Sequence, residues 1–140
     1  MIIHHVGYLV KSIRSAAQEF AFLGYYSECS GDIVYDALRG IEVLFLTNGV
    51  YRIELVEPKC KDSAVSSLLH RMGSSPYHIC YECSHLETTC RVLREKGYVP
   101  VSVAEPAPAL DGRRVAFWFH HQVGLIELLE ETYLQVEKET

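Results

Sequence analysis

The sequence predicts an α+β fold in which two tandem βαβββ modules form a curved mixed sheet around a metal-binding cleft. A shift of 73 residues places His4–Tyr25 over Tyr77–Tyr98. The same shift places Ile53–Leu55 over Ile126–Leu128 without a gap. Because one offset aligns a strand, a helix and a distant strand, the chain is predicted to contain two similar half-domains.

The first module covers about residues 2–58. An apolar run rich in Val and Tyr predicts its first strand, and apolar residues at one-face spacing predict the helix that follows. Ser12 is suited to cap this helix and Gly24 to end it. The remaining strands are predicted at 25–38, with an irregular middle at Cys29–Asp32, and at 41–46 and 51–56.

A linker of about residues 59–75 carries a short helix, and the second module, about 76–131, repeats the pattern. Ser84–Glu87 has the form of a capping box, so it is predicted to open a helix that ends at Gly97. Strands are predicted at 77–83, 98–103, 115–119 and 125–129. Residues 1–131 are thus predicted to form a single domain, and 132–140 a polar C-terminal tail.

Composition excludes several classes of protein. A chain of 140 residues suits one domain with a hydrophobic core, and its net charge of −5 offers no basic surface for nucleic acid or an anionic membrane. No apolar run approaches the roughly 18 residues that a membrane span needs. The five scattered cysteines favour reduced thiols and a cytoplasmic location over a disulfide framework.

Each module offers one histidine on its first strand and one glutamate on its last strand. Glu54 follows His5 by 49 residues, and Glu127 follows His78 by the same 49. Since alternate residues of a strand face the same side, apolar neighbours on the helix side leave both glutamates facing away from the helices. The repeat selects His5 rather than the adjacent His4, which aligns with Tyr77.

Two imidazoles and two carboxylates suit one divalent ion of intermediate softness: Zn, Ni, Co, Mn or Fe. A lone histidine on a strand is more often a hydrogen-bonded structural residue, and a lone carboxylate is usually solvated. The repeat-equivalent positions favour the metal site, because a metal ion removes the cost of burying carboxylates among apolar residues.

Other polar residues have weaker cases. Cys80 and Cys83 have chelating spacing, but residues three apart on a strand face opposite sides. His120 and His121 are expected to diverge for the same reason, with one of them at the rim of the pocket. The substrate-binding candidates share the predicted pocket face or precede a strand, although a solvated side chain is the alternative for each: Arg52, Glu82 and Arg113.

Five blocks of the sequence resemble the vicinal oxygen chelate superfamily of βαβββ-repeat metalloproteins, and among them most closely the methylmalonyl-CoA epimerases. The blocks are HHVGYLV, ELVEPKCKDSAVSSLL, YHICYE, EPAPALDGRRVAFWFHH and GLIELLE. The likeness runs from His5 to about Glu131. It implies that the metal ligands are His5, Glu54, His78 and Glu127, and that the protein is a homodimer.

The resemblance further implies a metal-dependent isomerase or lyase that stabilises the enolate of a small carbonyl or thioester substrate, with Glu127 or Glu54 moving the proton. Glu54 also makes the ligand set similar to that of bacterial-type glyoxalase I, so a lactoylglutathione lyase-like activity is the alternative. Epimerases of this type carry a further acidic residue shortly before a glycine, where this chain has only Asp36 ahead of Gly40.

Two other functions fit the same fold. A non-catalytic module that binds a small molecule or an antibiotic would need no metal ligands, so the intact set of four residues argues against it. A dioxygenase generally uses two histidines and one glutamate. A fourth ligand leaves fewer open positions on the ion, which makes this function the less favoured one.

Overall fold

A computed structural model describes residues 1–28 and 31–132 of the chain. The chain divides into an N-terminal unit, His5–His78, and a C-terminal unit, which combines Met1–His4 with the chain from Ile79 onward. Most of the predicted polar tail and part of the irregular segment near Cys29 lie outside the described residues. The single domain at 1–131 stays a prediction.

Three helices and ten strands are present in the described residues. The helices are α1 (Ile13–Phe22), α2 (Ala64–Met72) and α3 (Leu86–Glu95). The strands are β1 (Ile2–Leu9), β2 (Tyr26–Ser27), β3 (Val34–Asp36), β4 (Ile41–Asn48), β5 (Tyr51–Pro58), β6 (Ser75–Cys83), β7 (Val99–Pro100), β8 (Glu105–Pro106), β9 (Arg114–His120) and β10 (Gly124–Glu130).

Both units have the βαβββ topology, so the predicted α+β class with two such modules is confirmed. In the N-terminal unit the strand order is β2-β4-β5-β1, with β1 parallel to β5 and the other pairs antiparallel. In the C-terminal unit the order is β6-β10-β9-β7, and the part of β6 from Ile79 onward is parallel to β10. The strands predicted at 25–38 and 98–103 are much shorter, because each is interrupted before the chain rejoins β4 or β9.

The two repeated helices end in the same way. Gly24 follows α1 with φ 99°, and the Tyr25 N–H donates to the carbonyl of Phe20. Gly97 follows α3 with φ 89°, and the Tyr98 N–H donates to the carbonyl of Leu93 in the same manner. A left-handed residue is what this type of helix end requires, so both predicted stops are confirmed.

The predicted capping box at the start of α3 is wrong. His85, not Ser84, is the N-cap residue, and its side chain makes no capping bond. The Ser84 hydroxyl donates to Glu131, while Glu87 pairs with Arg114 on β9. The side chains of Ser84 and Glu87 therefore interact with residues that are distant in the sequence.

Each unit has its core between its helix and its strands. In the N-terminal unit, Ile13 of α1 packs with Ile53 and Leu55. The side chains of Val6 and Tyr8, which are partly buried, pack against the same cluster. In the C-terminal unit the equivalent cluster contains residues of α3, β9 and β10, namely Leu86, Leu93, Ala116, Trp118, Ile126 and Leu128. The faces of β5 and β10 that carry the glutamates therefore point away from the helices, as predicted.

None of the helices in the described part of the chain is long and apolar enough to span a membrane. The four cysteines within those residues are free thiols.

Candidate metal centre

Three of the four predicted ligands meet in the N-terminal unit. The Nε2 atoms of His5 and His78 lie 3.2 Å apart. Oε1 of Glu54 lies 3.6 Å from the first of these nitrogens and 3.7 Å from the second. Each of the three residues is at most 7% exposed, so two imidazoles and one carboxylate converge where little water reaches them.

Pairing of the strands explains why His5 and Glu54 meet. The parallel register of β1 and β5 sets Gly7 opposite Glu54, and His5 is the preceding residue on the same face of β1. Ile53 and Leu55 pack against α1, so the Glu54 side chain must emerge on the opposite face. Alternation along two neighbouring strands thus brings the pair together.

Gly7 is a functional position that the sequence analysis missed. A Cβ atom at this residue would lie 2.1 Å from Cε1 of His78 and 2.3 Å from its Nδ1. The imidazole of His78 therefore occupies the space that any larger residue at position 7 would take. A glycine inside a strand is a recognised sign of close approach by another group, and that signal was available in the sequence.

Aromatic rings flank both histidines. The ring of Phe45 meets the His5 ring edge-on at 5.2 Å between centroids, and Tyr77 meets His78 at 4.4 Å. Phe45 is also the partner of Glu54 across the β4–β5 hairpin. The rings restrict the orientation of both imidazoles, which is what a ligand site requires of its surroundings.

The three groups fit a divalent metal ion. Atoms about 2.1 Å from one tetrahedral ion lie about 3.4 Å from each other, and the three observed separations of 3.2, 3.6 and 3.7 Å bracket that value. Two nitrogens and one carboxylate oxygen are also the donors that Zn²⁺ and its first-row neighbours accept.

Glu127 occupies the equivalent position in the C-terminal unit. It is 4% exposed and lies opposite Phe117 in the β9–β10 hairpin, just as Glu54 lies opposite Phe45. Its neighbours Ile126 and Leu128 pack with α3. The carboxylate is therefore buried on the face of β10 that turns away from the helix.

The predicted substrate-binding residues are all engaged in ion pairs. Nε of Arg52 lies 2.5 Å from Oε1 of Glu28. In the C-terminal unit, Nη1 of Arg113 lies 2.7 Å from Oε2 of Glu82. Their contribution to substrate binding stays a prediction, and it would require each arginine to share its charge with a carboxylate already present.

Asp36 is held by a neighbouring arginine. Its Oδ2 lies 2.7 Å from Nη1 of Arg39, and its Oδ1 accepts the Arg39 backbone N–H at 3.1 Å. The aspartate is 3% exposed. Both oxygens of this carboxylate therefore accept hydrogen bonds from Arg39 in the turn that leads to Gly40, and the arginine compensates the buried charge.

The adjacent histidines of the β9–β10 connection do not diverge, so that prediction is wrong. The rings of His120 and His121 stack with centroids 4.6 Å apart, and Tyr98 packs against His120. Strand alternation ends at His120, where the turn begins. Cys83 lies in the core beside α3, where burial raises the pKa of its thiol.

Comparison with known proteins agrees with this architecture. Residues 4–117 match the sequence profile of the Glyoxalase/Bleomycin resistance protein/Dioxygenase superfamily. The uncharacterized protein YqjC of Bacillus subtilis is 26% identical over 128 residues, covering 90% of this chain and 89% of that protein.

Two solved structures have closely similar folds. The crystal structure of the hypothetical protein BH1468 from Bacillus halodurans has a TM-score of 0.79 at 25% identity and covers 93% of this chain and 94% of that one. The methylmalonyl-CoA epimerase of Mycobacterium tuberculosis has a TM-score of 0.80 at 24% identity, covering 96% and 91%. At 24% identity, the similarity to the epimerase shows a shared fold.

Proposed function

The chain belongs to the glyoxalase/bleomycin resistance protein/dioxygenase superfamily, and from that premise we propose that it is a metal-dependent isomerase or lyase acting on a small carbonyl compound or thioester. The observation that carries the proposal is the buried cluster of His5, Glu54 and His78. A protein that only sequesters a small molecule has no need to bury a carboxylate between two imidazoles, which is costly without a cation.

Glu127 is proposed as the fourth ligand. It is buried, it lies opposite a phenylalanine in its hairpin, and it stands at the repeat position of Glu54. The same features apply to Glu54, which does meet two imidazoles. A set of two histidines and two glutamates would hold one divalent ion: Zn, Ni, Co, Mn or Fe.

The proposed chemistry assigns the proton to a carboxylate of this set. When bound, the ion supplies Lewis-acid stabilisation of the negative charge that develops as a C–H next to the substrate carbonyl is deprotonated. Glu127 or Glu54 takes that proton and returns it. Because Asp36 is compensated by Arg39, the proton transfer does not depend on a separate acidic residue of the β3–β4 turn.

Two substrate classes are to be tested. The fold likeness to a methylmalonyl-CoA epimerase supports an acyl thioester with an acidic Cα–H. The glutamate at position 54 supports a hemithioacetal, the substrate class of lactoylglutathione lyases, since it makes the proposed ligand set two histidines and two glutamates.

The deciding experiment combines metal analysis with an activity screen. Protein purified without chelator is expected to hold about one divalent ion per chain. The apo-protein, reloaded with Ni, Co, Mn or Zn, is then assayed for methylmalonyl-CoA epimerisation and hemithioacetal isomerisation. Metal-dependent turnover of either substrate supports the proposal, whereas a chain that retains no ion after dialysis against each metal would refute it.

We also propose that the protein is a cytoplasmic homodimer, in line with its superfamily. Sedimentation equilibrium measures the assembly directly, and the expected mass is twice the 15.9 kDa of one chain. A single species at the monomer mass across the concentration range would contradict the dimer.

A further inference from the structure

The C-terminal unit contains a pocket that the proposed chemistry does not use. The pocket has a volume of about 670 Å³ and lies between α3, the segment from Pro100 to Ala104, and the face of β9 that carries Ala116 and Trp118. Cavities of several hundred cubic ångströms are typical of small-molecule sites. The Glu127 carboxylate lies on the other face of the strands, because its hairpin partner Phe117 alternates with the two floor residues.

The floor of the pocket differs from the equivalent surface of the N-terminal unit. Strand pairing makes Ala116, opposite Leu128, the counterpart of Leu44, which is opposite Leu55. In the N-terminal unit this leucine is part of the core beneath α1. The alanine contributes less side-chain volume beneath α3 than the leucine does beneath α1. Two residues further on, Trp118 stands where the N-terminal unit has Leu46.

The α3 wall of the pocket carries two arginines, together with Glu87. Arg91 and Arg94 lie on α3, where the first module has Gln18 and Ala21 at the equivalent positions. Neither arginine forms an ion pair within the described part of the chain. The third arginine of the lining, Arg114, is by contrast compensated by Glu87 and Glu130.

The facing wall is apolar and exposed. Val101 is 59% exposed and Val103 is 71% exposed, although both line the pocket. Between the two walls, the Arg94 guanidinium lies over the ring of Trp118 at 5.7 Å from the centroid. That distance is within the range of a cation–π interaction, which does not neutralise the positive charge of Arg94.

The floor of the pocket carries the Trp118 indole, with the Cys90 thiol beside it. The indole N–H is buried, and the thiol is a weak acceptor for it. Burial raises the pKa of that thiol, so it remains neutral and does not repel an anion. The lining therefore combines positive charge, exposed apolar surface and a neutral thiol.

We propose that this pocket binds a small amphipathic organic anion. The anionic group, a carboxylate or a group of similar charge and size, pairs with Arg91 and Arg94. The apolar body of the ligand lies against Val101 and Val103. The proposal is independent of the metal centre and of the reaction proposed above.

The chain provides its own reporter, because Trp118 is its single tryptophan. The experiment titrates the protein with 4-phenylbutyrate and, as the matched neutral probe, with 4-phenylbutanol, while tryptophan fluorescence is recorded. We expect a saturable change with phenylbutyrate, at a dissociation constant of roughly 1 mM for a ligand of this size, and a clearly weaker response to the alcohol.

Two pairs of variants locate the ligand. Arg94→Gln is expected to weaken phenylbutyrate binding about fivefold, since one exposed charge-assisted contact is lost. Arg71→Gln, which removes an exposed arginine of α2, is expected to have no effect. Val103→Glu places a negative charge on the apolar wall and should abolish binding, whereas Val123→Glu, at a residue 56% exposed outside the pocket, should not.

Thermal unfolding of each variant shows that it is folded. No saturable response to phenylbutyrate, equal responses to the acid and the alcohol, or equal weakening by Arg71→Gln would each overturn the proposal. So would a response that disappears on addition of EDTA, since the probe would then be bound at the metal ligands and not at the arginines.

Discussion

At the scale of single residues, Gly7 shows how a side chain far along the sequence can fix a backbone position. We expect Gly7→Ala to lower divalent-metal affinity at least about 10-fold, because the new methyl group would displace the His78 ring. It should also cost about 1–3 kcal/mol in the free energy of unfolding through overpacking. Isothermal titration with Zn²⁺ or Ni²⁺ measures the affinity.

Gly49→Ala is the control for this substitution. Gly49 has a φ of 61°, and no atom of the described residues lies within 4 Å of the position that its Cβ would take, so alanine strains only the turn. Its stability should fall by about 1 kcal/mol, with metal affinity unchanged. Equal metal affinities in Gly7→Ala and the wild type would mean that His78 is not a ligand.

The carboxylates of Glu127 and Asp36 are expected to differ sharply in their importance for turnover. Glu127→Gln should lower kcat/KM by at least about 100-fold, because it removes a proton carrier and a ligand oxygen. Asp36→Asn should leave kcat/KM within about threefold, since both oxygens of this aspartate are occupied by Arg39. Steady-state kinetics with whichever substrate the screen identifies makes the comparison. If Asp36→Asn proves the more damaging variant, the proton passes through the turn and the present assignment fails.

At the scale of elements, Glu57 connects β5 to the start of α1. Its Oε1 accepts the backbone N–H of Ile13 at 2.8 Å, and its Oε2 lies 2.9 Å from Nζ of Lys59. Burial raises the pKa of this carboxyl, but the bonds from Lys59 and Ile13 outweigh it and hold the pKa below the ordinary 4.5. The carboxylate therefore accepts the first N–H of α1 in its charged form, while Ser12 is the N-cap residue.

Since the folded-state pKa is lowered, the stability that Glu57 contributes is present above about pH 4.5 and is lost as the pH falls through the folded value. Glu57→Gln should cost about 1 kcal/mol at pH 7 and should show a smaller further loss in acid than the wild type. Urea unfolding at neutral and acidic pH measures both effects. Glu95→Gln, at an exposed residue of α3, is the control. If the free energy of unfolding of Glu57→Gln changed with pH as that of the wild type does, the bond between Glu57 and the Ile13 N–H would not contribute to stability.

At the scale of the whole molecule, metal binding should stabilise the fold. With free metal at 100 times its dissociation constant, the free energy of unfolding is expected to rise by about 2.7 kcal/mol, because the ion binds the folded chain in preference to the unfolded one. Glu54→Gln and Glu127→Gln should both reduce this gain, and Glu95→Gln should not. Thermal unfolding with and without metal gives the comparison. A full gain in Glu127→Gln would remove that residue from the ligand set.

Much of the architecture and of the candidate site could be predicted, because repetition and strand alternation can be recognised from the order of residues alone. The shared offset defined both modules, and alternation placed Glu54 and Glu127 on the faces opposite their helices. The same two properties predict that the side chains of His5, Glu54 and His78 converge, and their ligand atoms lie within 3.7 Å of one another. The lengths of the strands predicted at 25–38 and 98–103 were overestimated, because β-propensity does not show where an edge strand stops pairing with its neighbour.

The βαβββ repeat, and the residues at equivalent positions within it, follow from the order of residues alone. Four contacts could be found only from the folded structure: the His78 ring above Gly7, Arg39 on Asp36, Glu28 on Arg52, and Arg114 in place of a capping partner for Glu87. These contacts differ from the repeat pattern in the distance along the sequence between the residues that interact. Periodicity acts between neighbours along the chain, whereas a close approach or an ion pair depends on packing between segments that the sequence separates.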